Sequence, residues 1–165
     1  MIVVSDSTPL ITLMKASQLD VLHKMFGEIV IPEAVYKELT TNRSFINEAE
    51  LIKNSDFIKV VTVEDRKAVS ILQRATGLDL GESEAIVYAD DNQADLLLMD
   101  EVSGRRVALN MGIAIMGSAG VLVSAFREGH LSIVEAEEAF LKIRSANRHI
   151  SEKLIADALD IIYGK

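Results

Sequence analysis

Short β-branched runs recur along this chain, each followed by a longer stretch whose apolar residues repeat with the period of a helix. That alternation is the pattern of βαβ units, in which parallel strands need a crossover helix and are buried on both faces. The first run is Ile2-Val3-Val4-Ser5. It stops at Asp6, after which Ser7-Thr8-Pro9 offers a hydroxyl cap and an early proline for a helix. Leu10, Leu13 and Met14 share one helical face, and Leu19, Leu22, Met25 and Phe26 continue into a short helix closed by Gly27. Ile29-Val30-Ile31 reads as a second strand, and Pro32 opens a helix bearing Val35, Glu38 and Leu39.

From Thr40 to Asp56 the chain turns polar, and a loop with a modest helix through Phe45, Ala49 and Ile52 is expected. Residues 57–61 form a third strand, residues 65–75 a helix, and Leu80 to Ala89 the start of another helix. Asp95-Leu96-Leu97-Leu98-Met99-Asp100 is a buried strand between two acids, followed by a helix over residues 102–110. Ile113-Ala114-Ile115 supplies the fifth strand, and Gly117 to Phe126 the helix after it. The remainder is two amphipathic helices joined near Asn147-Arg148-His149-Ile150-Ser151. The expected fold is α/β, a three-layer α/β/α sandwich around a five-stranded parallel sheet. Residues 1–130 form the main domain, and residues 131–165 form a C-terminal helical extension packed on it.

Composition narrows the chemistry. The chain has no Cys, which excludes thiolate metal sites, thiol nucleophiles and disulfides. A net charge of −8 argues against coating nucleic acid or an anionic membrane by bulk attraction. No Trp, five Phe and three Tyr make a poor set of stacking platforms for single-stranded bases. The N-terminal apolar run lacks a basic flank and meets Asp6 at once, unlike a signal peptide. No apolar run nears the roughly 20 residues of a membrane helix, so the expected compartment is the cytoplasm.

Ligands of open parallel sheets bind beyond the carboxyl ends of the strands. Asp6 and Asp100 follow the first and fourth strands directly, so both carboxylates emerge at that edge. Each also fits a plainer role at a helix N-terminus, where a carboxylate gains about 0.3–1 kcal/mol. Glu84, early in the helix before the fourth strand, and Glu38, about two turns into the helix after the second, fall within reach of the same edge. A solvated helix face is the plainer role for these two. Several carboxylates in one cleft repel one another unless a divalent cation neutralises them. An all-oxygen set without His or Cys suits Mg²⁺ or Mn²⁺ rather than Zn²⁺.

Val4-Ser5-Asp6-Ser7-Thr8-Pro9-Leu10, Ile31-Pro32-Glu33-Ala34-Val35-Tyr36-Lys37-Glu38-Leu39, Gly81-Glu82-Ser83-Glu84-Ala85-Ile86 and Leu97-Leu98-Met99-Asp100-Glu101 resemble, in order, the motifs of the PIN domain family. The resemblance is closest to a prokaryotic branch related to VapC-type toxins and covers roughly residues 1–125. It implies an acidic cleft holding Mg²⁺ or Mn²⁺ and hydrolysis of phosphodiester bonds, usually in RNA. Carried over by position, Asp6, Glu38, Glu84 and Asp100 match the family's acidic quartet, with Asp6, Glu84 and Asp100 as the metal ligands. The third acid is Glu where many members have Asp, and either Asp100 or Glu101 fits the last position. Glu82 and Glu101 are adjacent candidates for support. Ser7 and Thr8 serve either to hold a carboxylate or phosphate oxygen or to cap the helix.

Substrate contacts require positive charge beside such a cleft. Arg105 and Arg106 are the nearest basic pair by sequence, fitting either phosphate contacts or an exposed helix face. A second basic group comprises Lys142, Arg144, Arg148, His149 and Lys153. Gly117-Ser118-Ala119-Gly120 opens a helix whose N–H groups suit a phosphate or close strand-to-helix packing. The stripe Leu154, Ile155, Ala158, Leu159, Ile161 and Ile162 packs on the domain, a second copy or an antitoxin-like protein. The resemblance further implies a homodimer and, with a suitable partner, the toxin of a toxin–antitoxin pair.

Two rival readings stand beside the ribonuclease. One is a PIN-like module acting through binding with negligible turnover. The other is a phospho-accepting receiver domain, which lacks support here: Ser5 precedes Asp6, Thr62-Val63-Glu64 follows the third strand, and Met116-Gly117 follows the fifth. The nuclease reading requires Asp6, Glu84 and Asp100 to lie close enough to share one ion.

Overall fold

Five short strands carry the molecule: β1 (Val3–Ser5), β2 (Ile29–Pro32), β3 (Ile58–Val61), β4 (Leu96–Leu98) and β5 (Ile115–Met116). They form one parallel sheet in the order β3-β2-β1-β4-β5. The structure is a computed structural model that describes residues 1–146 and 150–165. The chain builds outward from β1 through β2 to β3, then returns to the other side of β1 for β4 and β5. The β1–β4 junction is therefore the topological switch point, beside which open α/β sheets form a crevice.

Alternation along the strands divides the apolar residues between two layers. Val3, Ile29, Ile31 and Leu98 join the larger core, which α1 (Ser7–Lys15), α2 (Asp20–Phe26), α3 (Glu33–Thr41), α4 (Ile46–Asn54), α8 (Ser118–Arg127), α9 (Ile133–Ser145) and α10 (Glu152–Ile162) close. Val4, Leu97 and Met99 point the other way, against Ala85, Ile86 and Ala89 of α6 (Leu80–Asp91) and Ala108 of α7 (Val102–Asn110). Helix α5 (Arg66–Thr76) packs on α6 through Val69, which meets Val87. Side chains two apart along a strand share a face, so one sheet feeds both cores. The C-terminal helices place Ala136, Phe140, Ile143, Ile155 and Ile162 in the larger core beside Leu13 and Leu122.

Most expected elements appear, with shifted ends. Residues 40–56 fold as the end of α3 (Glu33–Thr41), a 3₁₀ turn at Arg43–Phe45 and α4 (Ile46–Asn54). The fifth strand begins two residues later than its β-branched run predicts. Gly112 has φ +79°, and the Ile113 N–H turns back to the Ala108 carbonyl at 3.0 Å, so this segment terminates α7 before pairing starts. Arg148 and His149, named above as basic groups, lie outside the described residues, as does most of the expected helix junction.

Candidate active site

Register places the site. Ser5 pairs with Leu98, and the Asp6 N–H donates to the Leu98 carbonyl at 3.0 Å, so the chain leaves β1 and β4 side by side. Asp6 is only 2% exposed at this junction. Its side chain does not cap α1. Burial pushes its pKa up to about 8; the Ser7 backbone N–H opposes this, while the carboxylates of Asp79, Glu82 and Glu38 add to it. These are the acids whose charge reaches Asp6.

Glu38 comes from α3, which Pro32 starts directly at the end of β2. Its pKa is raised by burial, resisted by the Ser7 hydroxyl and raised further by Asp79. Thr8, half-buried, occupies the next position of α1. Glu82 enters from the first turn of α6. Asp79 and Glu82 form a reciprocal capping box there: the Glu82 N–H donates to Asp79 Oδ1 at 2.8 Å and the Asp79 N–H to Glu82 Oε2 at 3.0 Å. Burial raises the Glu82 pKa, the Asp79 N–H opposes it, and Asp79, Glu101 and Glu38 raise it again. Two glycines leave room for these groups. A Cβ on Gly81 would meet Glu38 Oε2 at 3.5 Å, and one on Gly104 would meet Glu82 Oε1 at 3.2 Å and collide with the Met99 sulfur.

Glu84 is placed elsewhere. Residues two apart on a helix are about 200° apart around its axis, so Glu82 and Glu84 face different neighbours. The buried Glu84 accepts the Ala34 N–H of α3 at 3.0 Å and pairs with Arg66 of α5 at 2.6 Å. Asp100 is turned toward α8: Ser118 donates its N–H to Oδ1 at 2.7 Å and its hydroxyl to Oδ2 at 2.9 Å. Among the described residues, no three acidic side chains converge tightly enough to ligate one ion together. Glu84 and Asp100 are thus each engaged by partners of their own, Ala34 and Arg66 for the first and Ser118 for the second. Helix phase turns Glu84 to α3 and α5, and Glu82 is the α6 acid that, with Glu38, raises the Asp6 pKa.

The basic pair divides as well. Arg105 donates from Nη1 to the Met99 carbonyl at 2.9 Å. A Cβ at Gly117 would sit 2.9 Å from Asp100 Oδ1 and 3.1 Å from Arg105 Nη1, so glycine is needed for their approach. Arg106, one position on, is exposed.

A family model for the PIN domain matches residues 2–163. The chain belongs to the PIN domain family. The match runs through both C-terminal helices, beyond the stretch that the motifs cover. No curated protein matches the chain. PIN domains are generally nucleases and typically use divalent metals.

The donor chemistry of this PIN domain fits such an ion. Asp6, Glu38, Glu82 and Asp79 offer only oxygen, and the innermost is buried among three like charges, an arrangement that a dication relieves. Mg²⁺ commonly takes one or two carboxylates and keeps several waters, so three convergent protein ligands are not required. Asp79 is the acid that the sequence reading missed; the spacing Asp79-Leu80-Gly81-Glu82 was its signal.

Proposed function

We propose that this PIN domain is a divalent-cation-dependent endoribonuclease. The observation that carries the reading is the buried Asp6 carboxyl, pressed by Glu38, Glu82 and Asp79 at the switch point of the sheet. Asp6 is the residue that would bind Mg²⁺ or Mn²⁺ directly, with Glu38 and Glu82 reaching the ion through its waters. When bound, the cation would neutralise the cluster, polarise the phosphodiester and make a water nucleophilic near neutral pH. Ser7 steadies this set, its N–H acting on Asp6 and its hydroxyl on Glu38. Asp100 anchors the start of α8 and, with the Met99 carbonyl, frames the Arg105 guanidinium for a phosphate oxygen.

Internal cleavage is supported by cavities on either side of β1. One, of about 360 Å³, is lined by Lys37, Glu38, Thr41 and Asp79 on the β2 side. The other, of about 490 Å³, is lined by Asp100, Arg105 and the β5 edge. A polynucleotide crossing the carboxyl edge has space for nucleotides both before and after the cut.

The test is cleavage of a mixed-sequence RNA in Mg²⁺ or Mn²⁺, with product ends mapped. Asp6→Asn and Glu82→Gln are each expected to lose at least 100-fold in rate, on the order of 3 kcal/mol of transition-state stabilisation. Cleavage by Asp6→Asn equal to that of the unaltered protein would remove the proposal and favour a module that binds without turnover.

A further inference from the structure

The cavity of about 490 Å³ beyond Asp100 has a wall that the acidic site does not explain. Ile115 and Met116 of β5 form one side, and Leu154 of α10, with Ser151 at that helix's N-cap, forms the other. Arg105 lies at the margin shared with the site. Leu154 is 47% exposed, so an apolar side chain stands open toward this space and is not consumed by the core. Apolar walls, with one cation at the margin and one hydroxyl on the wall, match a flat ring system attached to an anion.

Resting on the nuclease reading above, we infer that this cavity receives the nucleobase of a nucleotide next to the cleaved bond. Arg105 contacts that nucleotide's phosphate, and the C-terminal helix α10 sets which bases are accepted. Ser118 and the α8 N-terminus engage Asp100 and hold its carboxylate toward α8. The size is suitable, since small-molecule sites span about 300–1,000 Å³. Aliphatic walls take up a base through contact area, in place of the aromatic stacking that this chain, without Trp, is poorly equipped to provide.

Two measurements on the full chain test the inference. The first follows the methyl NMR signals of Leu154, Ile115 and Ile150 during titration with each nucleoside 5′-monophosphate and with inorganic phosphate. Saturable shifts with at least one nucleotide, absent with phosphate, are expected. No shifts, or equal shifts with phosphate, would overturn the site. The second maps cleavage positions for Leu154→Trp and for Val102→Trp, which narrows the same cavity from α7, where Val102 is 81% exposed. Both variants are expected to redistribute the cut sites and raise KM about tenfold, with kcat changing less than about threefold. Cut maps and KM values identical to those of the unaltered protein would overturn it. Nucleotide shifts without any cleavage would sink the nuclease reading and leave the base site standing. Cleavage without shifts would do the reverse.

Discussion

Asp6 is a carboxyl group held against its own charge. With its pKa raised from 3.8 to about 8, the folded cation-free protein binds a proton that the unfolded chain has released through most of that interval. Stability must then fall as pH rises from about 4 to about 8, because the native state binds more protons there. A cation that binds only the folded form reverses this, displacing the proton and stabilising most strongly at the upper end. Thermal unfolding of metal-free protein should show a midpoint that drops between pH 5 and 8 and recovers in millimolar Mg²⁺ or Mn²⁺. Asp6→Asn should flatten both responses and stabilise the metal-free protein at pH 8 by about 1–3 kcal/mol. Position Asp6 was legible from the sequence because a strand end fixes it. Choosing between Glu82 and Glu84 was not, since both lie in one motif and only the starting phase of the helix separates them. The capping box at Asp79 sets that phase, and its D-x-x-E spacing was open to reading in the sequence.

Helix α6 does two jobs with alternate residues. Glu82 adds its charge to that acting on Asp6, while Glu84 ties α6 to the start of α3 and to Arg66 of α5. Because Glu38 lies one turn beyond Ala34 on α3, the Glu84 bond sets where that helix carries its acid relative to Glu82. Glu84→Leu strands the half-buried Ala34 N–H and separates Arg66 from its partner. It should lower unfolding free energy by about 2–4 kcal/mol in urea titrations. An effect under about 0.5 kcal/mol would show that the tie is incidental. Element order was legible because β-branched runs and helical periods alternate cleanly. Element ends were less so: Gly112 announces the end of α7, but not that the Ile113 N–H returns to Ala108 and delays the strand.

Across the molecule, the C-terminal helices are part of the main core. Phe140 is fully buried beside residues of α1 and α8, as are Ala136 and Ile143. Phe140→Ala should cost about 3–5 kcal/mol, read as a lower urea midpoint with unchanged slope. Among the described residues, no helix is long and apolar enough to cross a membrane. The sheet order brings motifs separated by up to about a hundred residues to one edge, and the site follows from that topology. The central proposal is a cation bound at Asp6, with Glu38 and Glu82 acting through its waters and Glu84 positioning the helices. Free Mn²⁺, followed by its electron paramagnetic resonance signal during titration, tests this most directly. The unaltered protein should bind Mn²⁺, Glu82→Gln should weaken binding at least tenfold, and Glu84→Gln should stay within about threefold. A Glu84→Gln loss as large as that of Glu82→Gln, or no binding by the unaltered protein, would contradict it.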